Sequence, residues 1–201
     1  MFFDFDGTLV DSAAVKRNCF YSLFPSAPEY GSIVSAVLFD NPEGSRFYVI
    51  PRMIEEMFTK GLALPPGTTA NTAIESYTDQ VLAAVMKCDE MPGASRVLGA
   101  LARRCAICIA SNTPEIDLRK LVEARKWDGL VRSIDGYPRR KIDIVGKRLS
   151  EFGVSASRAL VVGDGRSDEE AAEANGCAFF KITRPGDLMK VTTILGIDNV
   201  C

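Results

Sequence analysis

The chain opens on Met1-Phe2-Phe3-Asp4-Phe5-Asp6-Gly7-Thr8-Leu9-Val10-Asp11-Ser12, a short apolar segment that runs directly into two carboxylates at alternate positions. Its three phenylalanines are typical of a strand buried on both faces, as in a parallel sheet. Ligands of open parallel sheets bind just beyond the carboxyl ends of the strands, where both carboxylates fall. Gly7 permits a tight turn and a close approach of the backbone to a ligand. The stretch predicts a site for a divalent cation and an anion, although an acidic surface turn gives the same pattern.

Length and composition indicate an ordinary globular protein. The 201 residues are 47% hydrophobic and 25% charged, which suits one core domain with a sizeable insertion or two small domains. A formal net charge of -2 gives no basic footprint for nucleic acid. No apolar run is long enough to cross a membrane and no signal peptide precedes the first strand, so we expect a cytoplasmic protein without a membrane partner.

The histidine and cysteine content limits which residues could act as acids, bases or metal ligands. The chain has no histidine, so acid–base work would fall to carboxylates, lysines, tyrosines or cysteines. Cys105 and Cys108 have C-x-x-C spacing but lie in an apolar run typical of a strand. Residues three apart in a strand point to opposite faces, so we interpret these thiols as buried structural cysteines.

The hydrophobic pattern divides the chain into a helical segment and an alternating one. Residues 12–90 contain four apolar stripes at helical spacing, separated by loops rich in Pro and Gly, and predict a small helical bundle. The third stripe runs from Phe47 to Phe58 and places Pro51 in the first turn of its helix. From Met91 onward, helices alternate with strands, which predicts a parallel sheet covered on both faces. The expected strands after the first are 105–110, 130–134, 158–163 and 177–182, and the expected helices are 94–104, 114–126, 141–152 and 167–175.

Polar residues follow two of these later strands, and a cluster of cations begins a helix. Ser111 and Asn112 end one strand, and Asp164 and Asp168 follow another between glycines. Ser, Asp and their neighbours are also common helix caps. Three consecutive cations end at Lys141, at a helix start, where the helix dipole favours negative charge. They suggest an anion to be bound, although a solvated basic loop is the ordinary alternative.

Together these residues resemble the haloacid dehalogenase-like hydrolase superfamily over nearly the whole chain. Asp4 to Leu9 is similar to its first motif and the apolar strand ending in Ser111 to its second. Lys141 resembles the third, a lysine that opens a helix, and Gly163 to Asp168 matches the fourth, G-D-x-x-x-D. The resemblance implies an α/β fold with a Rossmann-like parallel core over residues 1–11 and 91–201. Residues 12–90 would form a small inserted α-helical cap of the type found in phosphoglycolate phosphatases and β-phosphoglucomutases.

The resemblance also implies phosphoryl transfer through an aspartyl-phosphate. It makes Asp4 the nucleophile and Asp6 the general acid and base, with Ser111 and Lys141 as further catalytic residues. Its implied cofactor is Mg²⁺ and its implied partner a small phosphorylated metabolite, bound by a monomer or homodimer. The expected metal residues are Asp4, Asp6 (through its carbonyl), Asp164 and Asp168 (in support), and the expected substrate-binding residues are Gly7, Thr8, Ser111, Asn112, Lys141 and Arg46.

Several alternatives stay open from the sequence. The family lysine is usually followed by Pro, whereas Ile142 follows here, so Arg139 or Arg140 competes with Lys141 for its role. Dehalogenases lack the second aspartate, so Asp6 favours phosphate esters, with a sugar-phosphate mutase as an alternative to a phosphatase. A non-catalytic module that binds a phosphorylated ligand is a third interpretation. Arg46, and less so Arg52, is a candidate for an anionic group of the substrate, although exposed helix arginines are usually only solvated.

Overall fold

The structure is a computed structural model that describes residues 1–196, and it divides the chain into two compact units. Ala13–Lys87 form the first, called here the helical unit. Met1–Ser12 and the chain from Cys88 onward form the second, called the core unit. Among residues 1–196, no helix combines the length and apolar character needed to cross a bilayer.

The helical unit contains four helices whose ends follow from local signals. Ser45 caps the third helix by accepting a hydrogen bond from the Phe47 amide, and Thr69 and Thr72 form a reciprocal capping box at the fourth. Pro51 lies in the interior of the third helix and not in its first turn, because this helix already begins at Arg46. The helices are α1 (Ala13–Tyr21), α2 (Pro28–Asp40), α3 (Arg46–Thr59) and α4 (Ala70–Val85).

Packing inside the helical unit uses one face of each helix. α4 buries Tyr77 and neighbours at four-residue spacing, and the Tyr77 ring stacks on Phe20 with centroids 4.1 Å apart. Phe47 and Phe58 were expected in the buried stripe of α3, but they are 45% and 61% exposed. The other members of the predicted stripe, Ile50, Ile54 and Met57, are buried, and Val49, Met53 and Arg46 complete the buried face of α3.

The core unit contains a five-stranded parallel sheet, which confirms the predicted α/β fold. The strand order is β3-β2-β1-β4-β5, so the first strand of the chain is central. The chain adds strands on one side of β1 and then on the other, and this reversal creates a crevice at the carboxyl ends of β1, β2 and β4. The strands are β1 (Phe2–Phe3), β2 (Cys108–Pro114), β3 (Ser133–Tyr137), β4 (Leu160–Gly163) and β5 (Ala178–Lys181).

Five helices of the core unit connect and cover these strands. One part of the apolar core joins side chains of β1, β2 and β4 to α7 and α8: Phe2, Cys108, Val145, Val161, Ala171 and Ala172. Small residues allow close helix packing, since a Cβ at Gly146 of α7 would lie 2.7 Å from Asn175 Oδ1 at the end of α8. The helices are α5 (Ala94–Ala102), α6 (Glu115–Ala124), α7 (Lys141–Phe152), α8 (Arg166–Asn175) and α9 (Lys190–Ile194).

Two strands are displaced along the chain from their expected positions. β2 begins at Cys108 and not at residue 105, because the Cys105 amide still donates to the Leu101 carbonyl at the end of α5. β3 occupies Ser133–Tyr137 and not 130–134, because Asp128–Leu130 form a turn of 3₁₀ helix.

Asp187 organises the loop that follows β5. Its carboxylate accepts hydrogen bonds from Lys190 Nζ at 2.7 Å and from the Thr183 hydroxyl and amide at 2.8 and 3.1 Å. The hydrogen bonds from Lys190 and Thr183 hold the pKa of Asp187 well below its usual value.

Candidate active site

The carboxyl ends of β1, β2 and β4 bring the candidate residues of the core unit together. Asp4 follows β1, and its amide donates to the Val162 carbonyl of β4 at 2.9 Å. The short β1 is held on both sides, since Phe2 pairs with Cys108 and with Val161. A two-residue strand therefore fixes the Asp4 backbone between its two neighbours.

Lys141 contacts two of the candidate carboxylates. Its Nζ lies 2.9 Å from Asp4 Oδ1 and 2.7 Å from Asp168 Oδ1, and all three side chains are almost completely buried. Burial opposes the charge of Lys141, but the charges of Asp4 and Asp168 raise its pKa above the usual value. Lys141 therefore remains an ammonium at the start of α7.

The two preceding arginines are engaged elsewhere. Arg139 forms ion pairs with Glu115 and, at 3.4 Å, with Asp135. Arg140 pairs with Asp143 at 2.9 Å on an exposed surface. Of the three consecutive cations, it is Lys141 that the structure brings against Asp4.

Asp4, Asp164 and Asp168 form an acidic cluster in which each offers one carboxylate oxygen within 4.8 Å of the others. Burial raises the pKa of Asp4 well above its usual value against the attraction of Lys141, and the charges of Asp168, Asp6 and Asp164 raise it further. Two like charges 4 Å apart repel by about 4 kcal/mol at an effective dielectric constant near 20. A cation bound among them would remove this repulsion, and an all-oxygen donor set suits Mg²⁺, Ca²⁺ or Mn²⁺.

Gly7 and Thr8 both lie against the carboxylate of Asp164. The Thr8 hydroxyl is buried and donates to Asp164 Oδ1 at 3.2 Å. Gly7 has a φ of +78°, and a Cβ there would lie 2.4 Å from Asp164 Oδ2. Glycine is required at this position both by the backbone conformation and by the carboxylate beside it.

Asp168 is fixed from several directions. Its Oδ2 accepts a hydrogen bond from the Gly165 amide at 3.2 Å, while Oδ1 faces Lys141. A Cβ at Gly163 would lie 2.2 Å from Asp168 Cγ, so the last residue of β4 must be small for Asp168 to occupy this place. Gly163 opens the fourth motif, but no role was predicted for it.

Asp6 points its carboxylate at hydroxyl groups. Oδ1 accepts from Ser12 Oγ at 2.7 Å, and Oδ2 accepts from Thr113 Oγ1 at 2.7 Å and from Ser111 Oγ at 3.4 Å. Neither Ser12 nor Thr113 was predicted as a partner of Asp6. The signal for Thr113 was its place two residues after Ser111, because alternate residues of a strand share a face.

Asn112 and Arg46 occupy different surroundings. Asn112 is exposed at the end of β2, and its amide nitrogen donates to Ser167 Oγ at 3.3 Å. Arg46 belongs to the helical unit, where its Nη1 donates to Thr78 Oγ1 at 2.9 Å and its guanidinium lies 4.9 Å from the centre of the Tyr77 ring. The functional roles of both remain predictions.

Comparisons with known proteins identify the family and the fold. A family model described as haloacid dehalogenase-like hydrolase matches residues 1–176. No curated protein matches the chain.

Solved structures of low sequence identity share the fold. The HAD hydrolase YfnB from Bacillus subtilis, solved bound to magnesium, is 16% identical with a TM-score of 0.71 over 98% of this chain and 97% of that one. A predicted phosphoglycolate phosphatase from Haemophilus somnus is 18% identical with a TM-score of 0.68 over 96% of both chains. CbbY from Rhodobacter sphaeroides, in complex with xylulose-(1,5)bisphosphate, is 18% identical with a TM-score of 0.61 over 89% of this chain and 83% of that one.

Proposed function

We propose that this chain, which belongs to the haloacid dehalogenase-like hydrolase family, is a Mg²⁺-dependent phosphatase that hydrolyses a small phosphorylated metabolite through an aspartyl-phosphate. The observation that supports this most is the approach of Asp4, Asp164 and Asp168 to one another, with Lys141 2.9 Å from Asp4. The names of the neighbours, which include a phosphoglycolate phosphatase and a protein complexed with a sugar bisphosphate, agree with a phosphate ester as substrate.

Asp4 is the proposed nucleophile. One of its carboxylate oxygens attacks the phosphorus of the ester, the bond from phosphorus to the ester oxygen breaks, and an alkoxide leaves. Asp4, Asp164 and the carbonyl of Asp6 would hold Mg²⁺ with support from Asp168, and the bound ion would supply the positive charge that lets a carboxylate approach a phosphate dianion. Lys141 contributes a second positive charge beside Asp4 as negative charge spreads over the phosphoryl oxygens.

Asp6 is the proposed general acid and then the general base. In its protonated form it gives a proton to the leaving alkoxide, and the resulting carboxylate accepts a proton from the water that attacks the aspartyl-phosphate. That second step regenerates Asp4 and releases inorganic phosphate. A carboxylate in this role is consistent with a chain that has no histidine.

Neutral donors would orient the phosphoryl group. The Ser111 hydroxyl and the Asn112 amide lie in the carboxyl-terminal half of β2, and the amides of Gly7 and Thr8 follow Asp4. Such donors stabilise the charge that develops on phosphoryl oxygens in the transition state. We also assign the helical unit the role of a cap that selects the substrate, with Arg46 as its anion-binding residue and Val10–Ser12 and Met91–Gly93 as hinges.

Release of inorganic phosphate from a panel of phosphorylated metabolites, with and without Mg²⁺, tests this proposal. We expect Mg²⁺-dependent release from at least one ester, and its complete loss in Asp4→Asn while a cooperative unfolding transition shows that the variant is still folded. Isomerisation that depends on a bisphosphate activator, without net phosphate release, would assign the protein as a mutase instead. Appreciable turnover by Asp4→Asn would exclude Asp4 as the nucleophile.

A further inference from the structure

Thr113 makes the closest side-chain contact to Asp6 from β2. Its hydroxyl is buried, with the residue only 3% exposed, and lies 2.7 Å from Asp6 Oδ2. Ser12 Oγ contacts the other oxygen, Oδ1, at the same 2.7 Å. A carboxylate with one short hydrogen bond to each oxygen has a fixed plane, because rotation about its terminal torsion would break both bonds.

Thr113 is also linked to the end of β2 through its backbone. Its amide donates to Ser111 Oγ at 3.1 Å, and Ser111 Oγ is in turn 3.4 Å from Asp6 Oδ2. Ser111 and Thr113 are buried, whereas Asn112 between them is exposed, as expected when alternate residues of a strand share a face. One residue therefore contacts both the proposed acid–base group and the proposed phosphate-binding hydroxyl.

We propose that Thr113 is a positioning residue that orients the Asp6 carboxyl group for proton transfer to the leaving alkoxide, an inference that rests on the proposed function. Thr113 does not touch the reacting atoms in this assignment and acts through Asp6. A structural role of the hydroxyl alone would affect folding, or would affect all substrates equally. A positioning role predicts a loss that depends on how much the leaving group needs a proton.

Two classes of phosphate ester separate these possibilities. An alkyl phosphate such as glycerol phosphate expels a strongly basic alkoxide and needs a general acid. Para-nitrophenyl phosphate expels a stable phenolate and needs little protonation. The ratio kcat/KM is the appropriate quantity, because it reports the steps up to the departure of the leaving group and excludes hydrolysis of the aspartyl-phosphate.

The variants are Thr113→Val, which keeps the branched shape and removes the hydroxyl, and Thr113→Ser, which keeps the hydroxyl. For Thr113→Val we expect kcat/KM to fall roughly 10- to 100-fold with the alkyl ester, part of the roughly 10²- to 10⁴-fold that general acids supply, and to change little with the aryl ester. Thr113→Ser should restore most of the loss. Thr113→Ala removes the hydroxyl without adding a methyl group, so it should show the same contrast between esters if Thr113→Val proves too unstable to assay.

Equal losses with both esters, or an unchanged kcat/KM for the alkyl ester, would overturn the positioning role while leaving the phosphatase assignment in place. Failure of Thr113→Ser to restore activity would also overturn it. A wild-type protein that, in Mg²⁺, releases phosphate from neither ester and from no member of the metabolite panel would overturn the proposed function and this inference with it. Thermal unfolding of each variant identifies losses that arise from folding alone.

Discussion

Gly7→Ala tests the geometry of the acidic cluster, because the added methyl group would occupy the place of the Asp164 carboxylate. The new Cβ would lie 2.4 Å from Asp164 Oδ2 and 2.8 Å from its Cγ. Ordinary contact between such atoms begins roughly 1 Å farther away, so the carboxylate must move by about that distance. Gly7 also has a φ of +78°, a left-handed conformation that alanine adopts at a cost.

Gly153→Ala provides a matched control for the backbone cost. Gly153 has a φ of +60°, and a Cβ there would meet no atom within 4 Å. A left-handed non-glycine residue costs about 1–2 kcal/mol, and each kcal/mol lowers the unfolding midpoint of a chain of this length by about 2–4 °C. We therefore expect Gly153→Ala to lower the midpoint by about 2–8 °C and to leave turnover and its Mg²⁺ dependence unchanged.

Gly7→Ala should differ from this control in its metal dependence. We expect half-maximal phosphate release to require at least about tenfold more Mg²⁺, because the loss of a residue that only supports a metal ligand already lowers metal affinity by about 10- to 100-fold, and Asp164 is a proposed direct ligand. The assay is phosphate release over a series of Mg²⁺ concentrations, with thermal unfolding recorded in parallel. A Gly7→Ala protein with the Mg²⁺ dependence of the wild type would refute the assignment of Asp164 to the metal site.

Three further predictions concern charge. Lys141→Met leaves the buried carboxylates of Asp4 and Asp168 without their ammonium partner. It should lower the free energy of unfolding of the metal-free protein, measured in urea, by about 3–5 kcal/mol. The control Arg140→Met removes an exposed ion pair and should have no measurable effect. The lowered pKa of Asp187 contributes stability above about pH 4 that is lost as the pH falls toward that pKa, so Asp187→Asn should be less stable than wild type at pH 7 and approach it in acid. Arg46→Gln should raise KM roughly 10-fold or more for substrates with a second anionic group. Arg52→Gln should leave KM unchanged, because Arg52 is exposed on the same helix and already pairs with two glutamates. Equal KM values in both variants would exclude Arg46 from substrate binding.

The parallel fold could be predicted from the sequence because its strands are short apolar runs separated by amphipathic helices. The predicted strand boundaries were less accurate where the paired strands continue through polar residues. β2 continues through polar Ser111 and Asn112, since Pro114 still pairs with Tyr137 of β3 beyond an irregularity in the register. β3 includes Asp135, whose carboxylate is buried because it forms an ion pair with Arg148 at 2.7 Å. The sequence of β3 alone could not predict that Asp135 pairs with Arg148, because Arg148 lies in α7.

The candidate site was predictable to the extent that its residues follow strand ends. Carboxylates and hydroxyls at those positions must share one edge of a parallel sheet, and the family resemblance, which the match over residues 1–176 confirms, added their proposed roles. The choice between Lys141 and its neighbouring arginines depended on helix phase and on the positions of acidic partners. The strand pattern places Thr113 on the same face as Ser111, but its 2.7 Å contact with Asp6 depends on how β2 packs beside β1, which the sequence did not reveal.

The charge balance of the acidic cluster supports the proposal of a divalent cation in addition to Lys141. With Asp6 protonated, as its proposed role as general acid requires, the three ionised carboxylates of the cluster and the buried ammonium of Lys141 leave two uncompensated negative charges, the charge that one divalent cation neutralises. Lys141 alone is insufficient, since burial and neighbouring carboxylates still raise the pKa of Asp4. A divalent cation alone would leave Asp168 buried without its contact to Lys141 at 2.7 Å. In the proposed mechanism, Lys141 and a divalent cation together would let Asp4 be ionised while the net charge of the cluster stays near zero, and a carboxylate could then attack a dianionic phosphate.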